Sequence, residues 1–260
     1  MKIATWNVNS IRTRLDNVTQ WLKEANPDVV CLQELKCTDE QFPREPLESL
    51  GYNCAVHGQK SYNGVAILSK RPMDDVTPRL PGDDEDNHSR YMEAIIPGER
   101  GTIRIGSLYA PNGNPIGTDK FTYKLAWHAR LQQRAQELLK DEEAMALMGD
   151  YNIIPEPQDC KDPKNWMKDA LYQPESRAAF RTLANTGYTD AFRACNAAPH
   201  QYTFWDYFVG TLERNNGIRI DHIMLTPQAA DRLKTCVIDK HVREREKPSD
   251  HVPIWAELDI

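Results

Sequence analysis

The chain has 260 residues with 38 acidic and 32 Lys and Arg side chains, giving a formal charge of −6 at pH 7. This length is ample for a sizeable core, and a composition that is 40% hydrophobic and 27% charged excludes wholesale disorder. No apolar run approaches the roughly 20 residues that cross a bilayer, and no secretory signal is visible, so we expect a cytoplasmic protein without a membrane span. The net negative charge argues against a protein that covers nucleic acid through an overall positive charge. It does not exclude local binding of phosphate groups.

The first half of the chain combines short apolar strands with one amphipathic helix. Apolar residues at helical spacing from Ile11 to Leu22 predict the helix, with Ser10 as its N-cap and Pro27 just past its end. Segment 83–87 is a run of acidic and polar residues and is expected to be a solvated loop. The predicted strands of this half are 2–6, 28–33, 64–69, 91–96 and 102–109.

The second half has two longer predicted helices and three strands. One helix covers 119–140, and another begins near Pro174 and ends before Gly187. A short helix is predicted to begin at Thr226 and Pro227. The apolar stripe of helix 119–140 consists of Phe121, Leu125, His128, Leu131, Ala135 and Leu138. The strands of this half are 144–148, 218–225 and 252–258.

The balance of these elements predicts the fold class. Strands outnumber helices, and several strands are apolar on both faces. Two sheets packed face to face with helices on their outer sides would bury such strands, so we expect an α/β sandwich. No repeat or linker divides the sequence, and a single domain over 1–260 is predicted.

Polar side chains stand where the apolar strands end, or just before the last strand begins. Each alone is explained as a turn former or a surface residue. However, Glu34 and Asp221 are flanked by apolar sequence, and burying an unpaired carboxylate is costly. Several carboxylates at one rim of a sandwich need a cation or protons to coexist. The residues concerned are Asn7, Glu34, Tyr109, Asp150, Asn152, Asp221, Asp250 and His251.

The types of these side chains indicate a metal and a reaction. Carboxylate and amide oxygens without cysteine suit Mg²⁺, with Mn²⁺ as a close substitute. Mg²⁺ commonly meets phosphate oxygens, which favours phosphoryl chemistry. His251, which Asp221 could orient, supplies a hydrogen-bond donor for the negative charge that develops on the oxygens of the phosphorane. The residues alone therefore predict a metal-assisted phosphoester hydrolase.

These segments, in this order, resemble the exonuclease III family of bacterial apurinic/apyrimidinic endonucleases, within the endonuclease/exonuclease/phosphatase superfamily. The matching motifs are Trp-Asn-Val-Asn at 6–9, Leu-Gln-Glu-Leu-Lys at 32–36, Tyr-Asn-Gly-Val at 62–65, Leu-Tyr-Ala-Pro-Asn at 108–112, Gly-Asp-Tyr-Asn at 149–152, Tyr-Thr-Phe-Trp-Asp-Tyr at 202–207, Ile-Arg-Ile-Asp at 218–221 and Lys-Pro-Ser-Asp-His at 247–251. The resemblance spans essentially the whole chain.

The resemblance implies a four-layered α/β sandwich of two packed mixed β-sheets flanked by helices. It implies Mg²⁺-dependent hydrolysis of the phosphodiester on the 5′ side of an abasic site, with 3′→5′ exonuclease and 3′-end trimming (phosphatase and phosphodiesterase) activities. The partner would be double-stranded DNA, especially abasic or 3′-blocked DNA. A monomer is the default expectation.

The resemblance also implies roles for the residues at the matching positions. Asp150 would activate the attacking water or protonate the leaving oxygen, and Asn152 would orient the nucleophile. His251, held by Asp221, would contact the scissile phosphate, and Tyr109 would lie against the same group. Since such sites are described with one metal ion or two, the candidate ligands are Glu34 as the principal one, with Asn7, Asp150, Asn152, Asp250 and His251.

A small apolar pocket for the flipped-out baseless sugar is implied as well. Such a pocket would reject a nucleotide that keeps its base, and extrusion costs least where pairing is already lost. Its residues here are Phe204, Ile218 and Ile220, for which ordinary core positions are the alternative. Candidate phosphate contacts are Lys36, Tyr62 and Asn112.

Two other functions are compatible with parts of this pattern. A phosphodiesterase of the same superfamily that acts on a small molecule or a lipid would share the metal site but should lack the pocket residues. A catalytically dead DNA-binding or protein-binding module would share only the fold. An assay for incision of abasic DNA distinguishes the nuclease from these two alternatives, because only the nuclease would cut the DNA.

Overall fold

The computed structural model describes residues 1–260 and contains twelve strands and six α-helices. The strands are β1 (Lys2–Asn7), β2 (Val29–Gln33), β3 (Asn53–His57), β4 (Val65–Ser69), β5 (Asp74–Pro78), β6 (Tyr91–Pro97), β7 (Thr102–Tyr109), β8 (Met145–Asp150), β9 (Thr189–Asp190), β10 (Asp221–Leu225), β11 (Leu233–Ile238) and β12 (Ile254–Leu258). The helices are α1 (Leu15–Ala25), α2 (Arg44–Glu48), α3 (Asp119–Leu139), α4 (Pro174–Asn185), α5 (Ala191–Cys195) and α6 (Pro227–Ala230). None of the helices is both long and apolar enough to span a membrane.

The strands form two six-stranded sheets, ordered β11-β12-β1-β2-β4-β3 and β5-β6-β7-β8-β10-β9. Each sheet is mixed, because β1 and β2 run parallel in the first and β7 and β8 run parallel in the second. The remaining strand pairs are antiparallel. The carboxyl ends of each parallel pair lie side by side, and this places the polar residues that follow them at one edge.

The two sheets pack against each other, and helices cover their outer faces. Alternation along β1 shows the arrangement, since Ile3 lies in the core between the sheets while Trp6 faces α1. The rings of Trp6 and Trp21 meet edge to face at 5.7 Å between centroids. On the other side, α3 and α4 bury Leu131 and Phe180 against the second sheet. The predicted sandwich of two sheets flanked by helices is confirmed.

Most predicted strands are present within a residue or two, but several local predictions are wrong. The first helix begins at Leu15 with Arg14 as its N-cap, so Ser10 does not cap it; residues 11–13 form a turn. The strand predicted at 218–225 covers only Asp221–Leu225, because Ile218 forms isolated bridges with Cys160 and Phe204. The sequence prediction missed β3, β5, β9 and β11, which are the four edge strands of the two sheets.

The solvated loop predicted at 83–87 is only partly solvated. Asp83, Asp84 and Glu85 are exposed, as expected. The side chain of Asp86 is 8% exposed and pairs with Arg130, while the Tyr123 hydroxyl donates to it at 2.9 Å. Asp86 therefore anchors this loop to α3.

Candidate active site

The ends of four strands from both sheets meet at one rim of the sandwich, and Asn7 joins them. Asn7 ends β1, and its Nδ2 donates to Glu34 Oε1 at 2.9 Å and to Asp150 Oδ2 at 3.0 Å. Its Oδ1 accepts from the backbone N–H of Asn9 at 3.1 Å. The amide nitrogen of Asn7, rather than its oxygen, thus faces the two carboxylates and holds them together.

Glu34 follows β2 directly and turns its carboxylate toward the second sheet. Its φ of 53° lies in the left-handed region, which non-glycine residues rarely adopt outside constrained sites. Lys36 Nζ lies 2.9 Å from Glu34 Oε2 and donates to Asn9 Oδ1 at 2.6 Å. Burial favours a raised pKa for Glu34, but Lys36 and the bond from Asn7 hold that pKa below its usual value. Glu34 is therefore a carboxylate at neutral pH, and Lys36 is engaged with it.

Asp150, His251 and Asp221 form a buried chain of polar groups. His251 Nδ1 lies 2.8 Å from Asp221 Oδ2, and its Nε2 lies 3.7 Å from Asp150 Oδ2. Burial opposes charge on His251, but Asp221 and then Asp150 raise its pKa well above the usual range. Burial also raises the pKa of Asp150, although His251 lowers it. Asp150 is thus suited to hold a proton transiently, and His251 to carry a positive charge.

The approach of β7 to β8 explains why glycine precedes Asp150. Gly149 has a φ of 155°, and a Cβ there would lie 1.9 Å from the carbonyl oxygen of Leu108. Two residues on, Asn152 adopts a φ of 49°, and its backbone N–H donates to Asp150 Oδ1 at 2.9 Å. Its side chain donates to the carbonyl of Ala110 at 2.8 Å and accepts from Asn112 Nδ2 at 3.3 Å. The tight turn thus fixes Asp150 and Asn152 relative to each other.

Tyr109 stands at the end of β7 beside these carboxylates. Burial first, and then Glu34 and Asp150, raise its pKa well above the usual range. The Arg90 guanidinium lies 4.9 Å from the centre of its ring, and an Arg90 N–H donates to its carbonyl oxygen at 3.2 Å. Tyr109 is therefore a neutral hydroxyl that can donate into the site.

A cavity of about 320 Å³ opens directly above this cluster. One wall is apolar and includes Phe204, Ile218 and Ile220, and the Phe204 ring packs edge to face on His251 at 5.0 Å. The other wall is polar. Among the predicted site residues it contains Glu34, Tyr109, Asn112, Asp150, Asn152, Asp250 and His251.

The remaining predicted residues lie around this cavity. Asp250 Oδ1 accepts from Asn9 Nδ2 at 3.1 Å. Asn7, Lys36 and Asp221 stand behind the wall and contact residues that line it. Tyr62 is 70% exposed and lies outside, in a neighbouring groove that shares Asn112 with the cavity.

The cluster has the donors that a divalent cation requires. One ligand atom each from Glu34, Asp150 and His251 lie within 4.8 Å of one another. Asp221 Oδ1 is buried and has no hydrogen-bond partner, so the negative charge behind His251 is not fully compensated. Carboxylate oxygens fit a hard metal ion, and Glu34 and Asp150 could therefore hold one.

Sequence reasoning missed several residues that shape the site. Trp166, Asp169, Leu171 and Asp206 also line the cavity. Asp206 belongs to the motif at 202–207, whereas the other three come from segment 166–171, which has no recognisable pattern. Lys124 is buried beneath the loop that carries Asn152. Its position among buried residues of α3 was the available signal, because a lysine at helical spacing within an apolar stripe is unusual.

Comparison with known proteins agrees with this geometry. The family model described as the endonuclease/exonuclease/phosphatase family matches residues 4–251. Exodeoxyribonuclease III of Haemophilus influenzae is 35% identical over 266 residues, covering 99% of this chain and all of that protein. Two solved structures superpose over the full length of both chains with a TM-score of 0.95: an AP endonuclease from Archaeoglobus fulgidus, 38% identical, and the 3′ phosphatase NExo from Neisseria bound to product DNA hairpin, 37% identical. The chain therefore belongs to the endonuclease/exonuclease/phosphatase family.

Proposed function

We propose that this protein is a Mg²⁺-dependent DNA repair nuclease that cleaves double-stranded DNA on the 5′ side of abasic sites. The same site would carry 3′→5′ exonuclease and 3′-end trimming activities, with Mn²⁺ able to replace Mg²⁺. The observation that carries the proposal is the apolar wall of Phe204, Ile218 and Ile220 directly beside the cluster of Glu34, Asp150 and His251. Relatives named for exonuclease, AP endonuclease and 3′ phosphatase activities support it.

The apolar wall suits a sugar that has lost its base. A cavity of about 320 Å³ accommodates a deoxyribose, and its apolar residues offer no partner for the polar edge of a base. Damaged nucleotides also leave the duplex at lower cost than paired ones. The cavity thus selects the lesion, and the cluster beside it meets the phosphate on its 5′ side.

Hydrolysis follows from the positions of the polar groups. Asp150, whose pKa is raised by burial, accepts the proton of the attacking water, and the backbone N–H of Asn152 fixes the carboxylate in place. The bond from phosphorus to the 3′ oxygen breaks, that oxygen takes a proton from solvent water and leaves as the 3′ hydroxyl, and Asp150 returns its proton to solvent. His251, kept charged by Asp221, and the Tyr109 hydroxyl donate to the phosphate oxygens as charge develops there. Lewis-acid polarisation of the phosphate is what a Mg²⁺ held by Glu34 and Asp150 would supply.

The groove next to the cavity gives the flanking DNA a place to bind. It has a volume of about 500 Å³ and includes Tyr62, Arg90 and Lys120 along its walls. Two cations and a hydroxyl match a phosphate backbone that continues away from the lesion. We expect this binding to be weak and salt-sensitive for an intact duplex. The proposal describes a monomer that acts in the cytoplasm.

A single-lesion duplex tests the proposal. A 5′-labelled duplex with one tetrahydrofuran abasic analogue is incubated with Mg²⁺, with Mn²⁺ or with a chelator, beside intact and 3′-phosphate-ended duplexes. We expect a nick immediately 5′ of the analogue and removal of the 3′ phosphate, both abolished by the chelator. Absence of a Mg²⁺-dependent nick would contradict the proposal. Binding without turnover would instead indicate a dead module, and turnover only on small phosphodiesters a different superfamily activity.

A further inference from the structure

Lys124 lies fully buried on α3, directly beneath the loops that carry Asn112 and Asn152. Its Nζ donates to the carbonyl oxygen of Asn112 at 3.0 Å and to the carbonyl oxygen of Asn152. A lysine is rarely buried to this degree, because its charge loses the solvation of water. The cost of burying the charge indicates that Lys124 is placed here to donate hydrogen bonds to these two carbonyl groups.

The two carbonyls belong to segments that have just left the second sheet. The parallel pairing of β7 and β8 ends with Tyr109 opposite Asp150, and the Ala110 N–H donates to the Asp150 carbonyl at 2.8 Å. Beyond that point Lys124 joins the two segments on the side of α3, and their own side chains join them on the side of the cavity. Asn112 Nδ2 meets Asn152 Oδ1 at 3.3 Å on the cavity side. Lys124 therefore fixes from below the two peptide groups whose side chains line the cavity.

The local sequence is adapted to the path of this side chain. Gly113 has a φ of 87°, and a Cβ there would lie 2.5 Å from Lys124 Cδ. Any other residue at this position would have to displace the lysine stem or distort the loop. The absence of a side chain at position 113 thus allows Lys124 to reach between the two loops.

We propose that Lys124 is a positioning residue that locks the loops after β7 and β8 together, so that Asn112 and Asn152 face the scissile phosphate. This inference rests on the proposed nuclease function. A lysine retained only for stability would be an unfavourable choice, because a buried charge replaced by an apolar side chain of similar volume often leaves stability unchanged or raised. The effect of Lys124 is accordingly expected on turnover rather than on folding.

The test compares Lys124→Met with wild type on the abasic duplex. Met fills a similar volume without N–H donors, so we expect kcat to fall by about tenfold or more with KM for DNA changed by less than about twofold. Its melting temperature should stay within a few degrees of wild type. Lys124→Gln keeps one donor group on a shorter stem, and its kcat should lie between the two. The matched control is Leu131→Ala, buried two turns further along α3, which should lower the melting temperature while leaving kcat unchanged.

A crystal structure of Lys124→Met gives a readout that does not depend on activity. We expect the contact of 3.3 Å between Asn112 Nδ2 and Asn152 Oδ1 to be lost or lengthened. An unchanged contact, an unchanged kcat, or losses of kcat and melting temperature in parallel in both Lys124 variants would each overturn the inference. A wild-type protein that does not nick abasic DNA would defeat the proposed function instead, and the crystal structure would still decide whether Lys124 joins the loops.

Discussion

His222 gives a quantitative prediction for the acid stability of this fold. The side chain is fully buried on β10, where its ring lies between Arg219 and the loop after β8. The Arg219 guanidinium can only donate, so His222 Nδ1 accepts from it at 3.0 Å, and His222 Nε2–H donates to the Ile153 carbonyl at 3.2 Å. Protonation would place a second N–H against the guanidinium. Burial first, and then Arg219, lower the pKa of His222 from 6.5 to about 4.

The magnitude follows from proton linkage. Between pH 6.5 and 4 the unfolded chain binds a proton at this position and the folded chain does not, so the free energy of unfolding falls as the pH is lowered through this range. At 1.36 kcal/mol for each unit of pKa difference, His222 removes about 2.5 kcal/mol between pH 7 and pH 4.5. This loss is large against a total stability of about 5–15 kcal/mol.

Urea denaturation of wild type and His222→Gln at these two pH values measures the effect. Gln can still donate an N–H toward the Ile153 carbonyl but does not titrate. The carboxylates are identical in both proteins, so their contribution cancels in the difference. We expect wild type to lose about 2.5 kcal/mol more than the variant on acidification. Equal losses in the two proteins would refute the assignment of a neutral, buried His222.

Three substitutions test the site and its support. Asp150→Asn is expected to lower kcat by about a hundredfold or more while duplex binding in a gel-shift assay persists, and retained turnover would contradict the role of this carboxylate. Glu34→Ala should raise the Mg²⁺ concentration for half-maximal activity by about tenfold or more with little change in melting temperature, whereas parallel losses would make Glu34 structural. Arg219→Ala leaves the buried Asp159 without its bond from Arg219 Nε at 2.8 Å, and urea denaturation should show a loss of about 3 kcal/mol; an unchanged stability would exclude this ion pair as a support.

Secondary structure is predicted correctly from the sequence where one residue pattern dominates a segment. The prediction fails where contacts with neighbouring segments determine the structure. Strands β2 and β8 are buried on both faces and have continuous apolar runs, which are visible in the sequence. By contrast, β5 is an exposed edge strand of Asp, Thr and Pro residues, and it is a strand because β6 offers backbone partners. In α3 the stripe is also shifted, since Lys124 is buried while Leu125 is only partly covered. Helix propensity does not show which residue of a helix contacts a neighbouring loop.

The same division holds for the site. Asn7, Glu34 and Asp150 could be found because each lies at or directly after the end of a strand, and parallel strands bring their carboxyl ends together. The pairing of His251 with Asp221 at 2.8 Å was likewise an expectation from the sequence. The orientation of the Asn7 amide and the position of Lys124 depend on distances across the two sheets and a helix. Such distances exist only after the fold is assembled.

The distribution of charge, rather than its sum of −6, bears on the function. Buried acids elsewhere in the chain are matched locally; Glu93, for example, is fully buried and pairs with Arg134 at 2.8 Å and Arg104 at 3.4 Å. At the cavity the carboxylates outnumber their ion-pair partners, because Glu34 pairs with Lys36 while Asp150 and Asp221 share His251. An unmatched cluster at a cavity, in a chain that matches its other buried acids, is the pattern expected where a metal ion and a phosphate bind together.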